Sequence, residues 1–223
     1  MWNGSSPKWN AVSAPFGSRP ASAWGSAGYC PTHGPSRLSF VSSRPGITVT
    51  LVRTDDALDA VRQRKVDVAV VRGHDTSGTV RVVHLFNESR VAVCSVNSRL
   101  ANKSELDWAD VPRWPLVVNV TSGTTGPWSW PVGAGPKTIV ETSNFDEWIE
   151  SVAADRGIGV IPDVAVRRNI HPGVRFIALR GAPPSPVVLA FLPRAHDAAL
   201  RRFVEAAVEA ARHTGAPIAK QDA

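Results

Sequence analysis

Cysteine, methionine and tyrosine are scarce in this chain of 223 residues, which holds two, one and one of them. Two thiols, Cys30 and Cys94, cannot build a disulfide framework, and six scattered histidines add no four-ligand zinc pattern. No metal and no cofactor is therefore expected. Runs of roughly 18 or more apolar residues are also missing, so no helix is expected to span a bilayer and no membrane partner is expected. No apolar segment follows a charged start, so no secretory signal is expected, and the cytoplasm is the expected location. Acidic residues are absent from 1–54, which carry Lys8, Arg19, Arg37, Arg44 and Arg53. The remaining residues hold 20 basic and 19 acidic side chains, so the net charge of +6 belongs mostly to the front of the chain. A broad basic face for nucleic acid is not implied. What is present, 43% hydrophobic and 20% charged residues, suffices for a folded core.

Residues 1–27 are rich in Gly, Ser, Ala, Pro and Trp and keep neither helical nor strand period, so a disordered or irregular segment is expected there. From Pro45 the pattern becomes regular. Ile47–Val52 reads as a strand, Thr54-Asp-Asp as a cap before a helix bearing Leu58 and Val61, and Val66–Val71 as a strand buried on both faces. Strands follow at 80–86 and 90–96, then a short helix at 105–111 with Ser104 as its cap, and a strand at 115–120. The loop Thr121–Gly126 comes next, then strands at 138–141, 157–162, 174–179 and 187–192, with helices at 145–155 and 197–213 and a flexible tail at 214–223. Alternating strands and helices predict an α/β class with mostly parallel sheets, in two lobes because one compact sheet needs fewer strands.

Candidate chemistry is concentrated at strand ends. Thr121-Ser-Gly-Thr-Thr-Gly126 is similar to the TSGTTG loop of adenylate-forming enzymes. That loop continues to a Pro-Lys pair, however, whereas Pro127-Trp128 follow here and the next lysine is Lys137. A hydroxyl-rich turn after a strand still makes a small-ligand or anion cradle. Cys30-Pro-Thr-His33 brings a thiol near an imidazole with no orienting third group, so Thr32 and His33 are read either as polar ligand contacts or as residues of a surface turn. Arg72 directly follows the buried strand, where open α/β sheets bind ligands, and its planar fork suits a carboxylate; the alternatives are a solvated arginine or an internal salt bridge. No acid–base pair and no nucleophile elbow can be assembled, so no catalytic residue is assigned and no enzyme is expected.

Read in order, several segments carry a family resemblance: Pro45-Gly-Ile-Thr-Val-Thr-Leu-Val, Leu58-Asp-Ala-Val-Arg-Gln-Arg-Lys-Val-Asp-Val-Ala-Val-Val-Arg72, Leu85-Phe with Val91-Ala-Val, Ser98-Arg-Leu-Ala, and Val152-Ala-Ala-Asp-Arg-Gly-Ile-Gly-Val-Ile-Pro162. Together they resemble the effector-binding domain of bacterial LysR-type transcriptional regulators over about residues 25–212. The resemblance implies a two-lobed, type-2 periplasmic-binding-protein-like fold across residues 28–213. One lobe would take about 28–86 and 185–213, the other about 88–182, with a small effector in the cleft. It implies ligand contacts from Thr32 and His33, Thr54, Arg72 and Gly73 in the first lobe. In the second it implies Thr121 and Ser122, Asn144 and Phe145, and an apolar wall at Ile161.

The resemblance further implies a small metabolite as partner, expected to bear a carboxylate, and a possible homodimer. Contact with DNA is expected only through a winged helix-turn-helix, of which residues 1–45 hold no pattern. A truncated regulator is therefore expected. The 28–45 region is also poor in helix formers where the family has a longer helix that contributes to the dimer. The rival expectations are a solute-binding protein for transport, which needs export, and an enzyme on the same two-lobed scaffold.

Overall fold

A computed structural model of the chain describes residues 49–50, 52, 56–72, 78–168, 171–193 and 198–213. These divide into two compact units, one made of Arg72 and Asn87–Pro186, the other of the described residues of 49–71, 78–86 and 187–213. The expected strand at 47–52 (apart from 49, 50 and 52) and the expected segments 1–27, 28–45 and 214–223 lie outside the described residues.

In the second of these units, helix α1 (Ala57–Arg62) starts where the Asp56 carboxylate accepts the Asp59 N–H at 3.0 Å. It buries Ala57, Ala60 and Val61, and ends as Arg64 takes a left-handed φ of 56°. Strands β1 (Val68–Arg72) and β2 (Arg81–Glu88) flank β9 (Ser185–Phe191) in a three-stranded sheet ordered β1-β9-β2. Helix α3 (Ala198–His213) lays Leu200, Phe203 and Ala206 against Val68, Leu189 and Phe191. The three helical positions recur at intervals of three residues, which puts them on one face.

The other unit is built on a four-stranded sheet ordered β4-β8-β3-β7, from β4 (Glu105–Asp107), β8 (Val174–Arg180), β3 (Arg90–Ser95) and β7 (Gly159–Pro162). Strands β5 (Leu116–Asn119) and β6 (Ile139–Thr142) pair in parallel. Strand β5 is tied toward β7 by the Val117 N–H donating to Ile158 O at 2.8 Å and the Ile158 N–H donating to Pro115 O at 2.9 Å. Helix α2 (Phe145–Ala153) covers this assembly with Trp148, Ile149 and Val152.

Two expectations are corrected here. Mostly parallel sheets are not found in this unit, because β3 runs antiparallel to both neighbours, β7 and β8, while β4–β8, β5–β6 and the Leu116–Ile158 bridge are parallel. Unbroken apolar runs come from burial on both faces, which direction does not alter: Ala92 and Cys94 enter one core cluster while Val93 enters another. The expected helix at 105–111 is instead β4 followed by a 3-10 helix at Trp108–Arg113 that contains Pro112. Pairing with β8 outweighs local propensity, and Arg180 anchors it by gripping Asp107 at 2.6 and 2.8 Å and Glu105 at 3.0 Å.

Candidate functional site

The hydroxyl-rich loop begins where β5 ends. Asn119 is buried, and its Oδ1 accepts the N–H groups of Thr121 and Ser122, each at 3.0 Å. Its Nδ2 donates to the Ser122 hydroxyl at 2.9 Å, and its carbonyl accepts the Gly123 N–H at 2.8 Å. A side chain at Gly123 would put Cβ 2.3 Å from the Asn119 carbonyl oxygen, so this tight turn requires glycine. The backbone donors expected to cradle an anion at 121–123 are thus spent on Asn119. What the loop presents is hydroxyl groups. Asn119 was not singled out in the sequence, although an Asn four residues before a Gly at a strand end is a turn signal.

Strand β6 delivers the second set. Asn119 lies opposite Thr142 in the parallel register, the Val120 N–H donates to Thr142 O at 2.9 Å, and the Thr142 hydroxyl donates to Val118 O at 3.1 Å. Thr121-Ser122 and Asn144-Phe145 therefore leave the sheet at the same end of adjacent strands. Asn144 caps α2 by accepting the Glu147 N–H at 2.9 Å, while Glu147 Oε2 accepts from the Ser143 N–H and hydroxyl at 2.9 and 2.8 Å. Those bonds hold the Glu147 carboxyl below its ordinary range. Phe145 stacks on Trp148 with ring centroids 5.6 Å apart, and Trp148 donates its Nε1–H to Val117 O at 2.9 Å. Ile161, opposite Val91 on β3, packs with Phe145 against the same apolar cluster. One unit thus gathers Thr121, Ser122, Asn144, Phe145 and Ile161.

Arg72 lies at the end of β1, as expected, but its fork is engaged. Nε meets Glu88 Oε2 at 2.6 Å and Nη2 meets Oε1 at 3.0 Å, with both side chains at most 10% exposed. This is the internal ion pair, with a bidentate geometry suited to Arg. Arg90, not singled out in the sequence, donates from Nε to Pro183 O at 2.8 Å, and from Nη1 to Thr124 O at 2.7 Å and to the Thr125 hydroxyl. Burial pulls its guanidinium down to about 10, against the pull of Glu88 in the other direction. Thr32, His33, Thr54 and Gly73 lie outside the described residues. Among the described residues, no cluster of His, Cys, Asp and Glu could hold a metal, and no helix is long and apolar enough to cross a membrane. Cys94 is fully buried, and burial with the charge of Asp155 pushes its thiol up to about 11, against the opposing charge of Arg175.

Residues 30–212 match the family model described as LysR substrate binding domain. Among curated protein sequences none matches the chain. Among solved structures it is similar to the effector-binding domain of QuiR in complex with shikimate. That match has a TM-score of 0.60 and 17% identity, over 72% of this chain and 78% of that one. It is also similar to the oxidised form of OxyR, with a TM-score of 0.56 and 21% identity over 70% and 75% of the two chains. The effector-binding domain of BenM with its effector benzoate gives 0.52 and 16% over 70% and 74%.

Proposed function

We infer, because this chain belongs to the LysR substrate binding domain family, that it is the small-molecule-sensing part of a transcriptional regulator and binds its effector through the strand-end groups above. The observation that carries the reading to particular residues is the parallel register of β5 and β6, which sets Thr121-Ser122 beside Asn144-Phe145. Ligands of open α/β sheets gather outside the carboxyl ends of parallel strands, at points where the connections part. Ile161 would add an apolar wall, and Thr32, His33, Thr54 and Gly73 would supply contacts from the other lobe. Arg72, bound to Glu88, would hold the end of β1 in place and leave the direct contact to other groups.

Shikimate and benzoate, named with two of the similar domains, are both carboxylates, so a small carboxylate is the proposed effector. In this reading the lobes are about 28–86 with 185–213 and about 88–182, and the domain works as a homodimer in the cytoplasm. DNA is met through a winged helix-turn-helix that is not within this chain, and no bond is made or broken. The effector acts by population shift, through its differential affinity for two arrangements of the domain. The test is thermal unfolding against a panel of small carboxylates, followed by titration of the strongest stabiliser into Thr121→Val. Loss of a hydroxyl contact to a carboxylate weakens binding by about 1.5–3 kcal/mol. An unchanged dissociation constant in Thr121→Val and in Ser122→Ala would remove this loop from the site.

A further inference from the structure

The side-chain amide of Asn119 has one possible orientation. Its Oδ1 lies 3.0 Å from the N–H groups of both Thr121 and Ser122, and only the oxygen of an amide can accept them. The amide atom 2.9 Å from the Ser122 hydroxyl oxygen is therefore the nitrogen, and it donates. An amide N–H offers no lone pair, so the Ser122 hydroxyl cannot return its own hydrogen to Asn119. Among the described residues it gives that hydrogen to nothing else.

Burial locks this arrangement. Asn119 is 6% exposed, and turning its amide over would set an N–H against two backbone N–H groups with little water to satisfy them. Thr121 and Ser122 are half-buried by contrast, which leaves both residues open to a small molecule. A hydroxyl that already accepts a hydrogen bond is also a stronger donor. The neighbouring strand end has the same polarity. Asn144 Oδ1 accepts the Glu147 N–H, so Nδ2 is fixed as the atom that donates one hydrogen to the Ser143 hydroxyl at 3.3 Å and keeps the other. The Ser143 hydrogen is committed to Glu147 Oε2.

We propose that Asn119 is a positioning residue that sets the Ser122 hydroxyl as a hydrogen-bond donor to the ligand, so that this loop selects a group that accepts, such as a carboxylate, over an ammonium that only donates. The proposal rests on the reading that the effector meets Thr121-Ser122, and it adds how that loop tells an acceptor from a donor.

The test uses the full chain labelled with nitrogen-15, with sodium acetate as the probe and methylammonium chloride at matched ionic strength as the probe of opposite polarity. Before any ligand is added, Ser122→Ala should shift one Asn119 side-chain N–H signal and quicken its exchange with water. Asn119→Asp is the discriminating variant. Its carboxylate still accepts both backbone N–H groups, but its second oxygen draws the Ser122 hydrogen inward. The unfolding temperature should hold while acetate binding, followed at the Ser122 amide, weakens at least tenfold, the size of one lost charge-assisted hydrogen bond. The added charge repels acetate as well, so Ser122→Ala is measured in both backgrounds. It should weaken acetate about tenfold in the parent and change nothing in Asn119→Asp.

An Asn119 side-chain signal that ignores Ser122→Ala, or equal weakening by Ser122→Ala in both backgrounds, would overturn the positioning role. So would methylammonium moving the loop signals as far as acetate does. Ser122→Ala in the parent decides the matter alone if Asn119→Asp does not fold. Acetate that moves the Thr121 amide but ignores Ser122→Ala would overturn the donor and leave the effector loop standing. Acetate that moves no signal of Thr121, Ser122 or Asn144 would remove the loop from the site and the donor with it.

Discussion

Breaking the Arg72–Glu88 pair tests whether Arg72 is part of the scaffold or part of the ligand site. Both side chains are at most 10% exposed, and two bonds of 2.6 and 3.0 Å join them in a fork-to-fork geometry. Removing one partner of a buried pair strands the other charge and costs about 3–5 kcal/mol. For a chain of this size that lowers the unfolding temperature by about 6–20 °C, at ~2–4 °C per kcal/mol. The two single changes should not be equal. Arg72→Met leaves Glu88 within the field of Arg90, whereas Glu88→Gln removes the one carboxylate that the two guanidiniums share. Glu88→Gln should therefore be the more damaging, and Arg72→Met combined with Glu88→Leu should recover most of the loss, since a well-packed apolar pair often replaces a buried ion pair without penalty. Urea and thermal denaturation of the three variants measure this. A Glu88→Gln chain as stable as the parent, or an Arg72→Met chain of full stability that no longer binds a ligand, would exclude a scaffold role and return Arg72 to the site.

Gly159→Ala would bring Cβ within 1.9 Å of Trp148 Cζ2, and Trp148 is fixed by burial and its bond to Val117 O. Overpacking of this kind costs about 1–3 kcal/mol, and a neutral result in urea denaturation would contradict the packing. Asn144→Ala should cost about 0.5–2 kcal/mol as a lost helix cap, read by the same assay. Glu147, held low in the folded state by Ser143, contributes stability above its unfolded pKa that is lost as pH falls through the lowered folded value. Glu147→Gln should accordingly destabilise at pH 7 and match the parent at pH 2, and an equal loss at both would show that charge is not the cause. Cys94, buried with its thiol pushed up to about 11, should resist a thiol reagent at pH 8 until the chain unfolds, as followed in a Cys30→Ser background. Fast labelling of the native protein would contradict that burial.

Local signals were legible and long-range ones were not. The apolar runs at 66–71 and 115–120 announced β1 and β5, and the helix expected at 145–155 is α2 over Phe145–Ala153. Strand direction was misread because β3 feeds cores on both faces, a pattern that sequence cannot distinguish from a buried parallel strand. The 105–111 segment was misread because its pairing with β8 and the grip of Arg180 lie about 70 residues away. Within the site, the loop and its hydroxyls were visible as residue types. Their partners were not: Glu88 is 16 residues from Arg72, and Pro183 is 93 from Arg90. A guanidinium at a strand end looks the same in sequence whether it awaits a ligand or already holds a carboxylate.

Thermal unfolding of the purified chain against a panel of small carboxylates and their amides tests whether this domain binds a small carboxylate at its strand-end loops. A ligand at 100 times its dissociation constant adds about 2.7 kcal/mol, a rise of about 5–11 °C for a chain of this size. Such a rise is expected with at least one carboxylate but not with its amide, and is expected to be lost in Thr121→Val. A cooperative transition that no carboxylate moves, or that amides move equally, would contradict it.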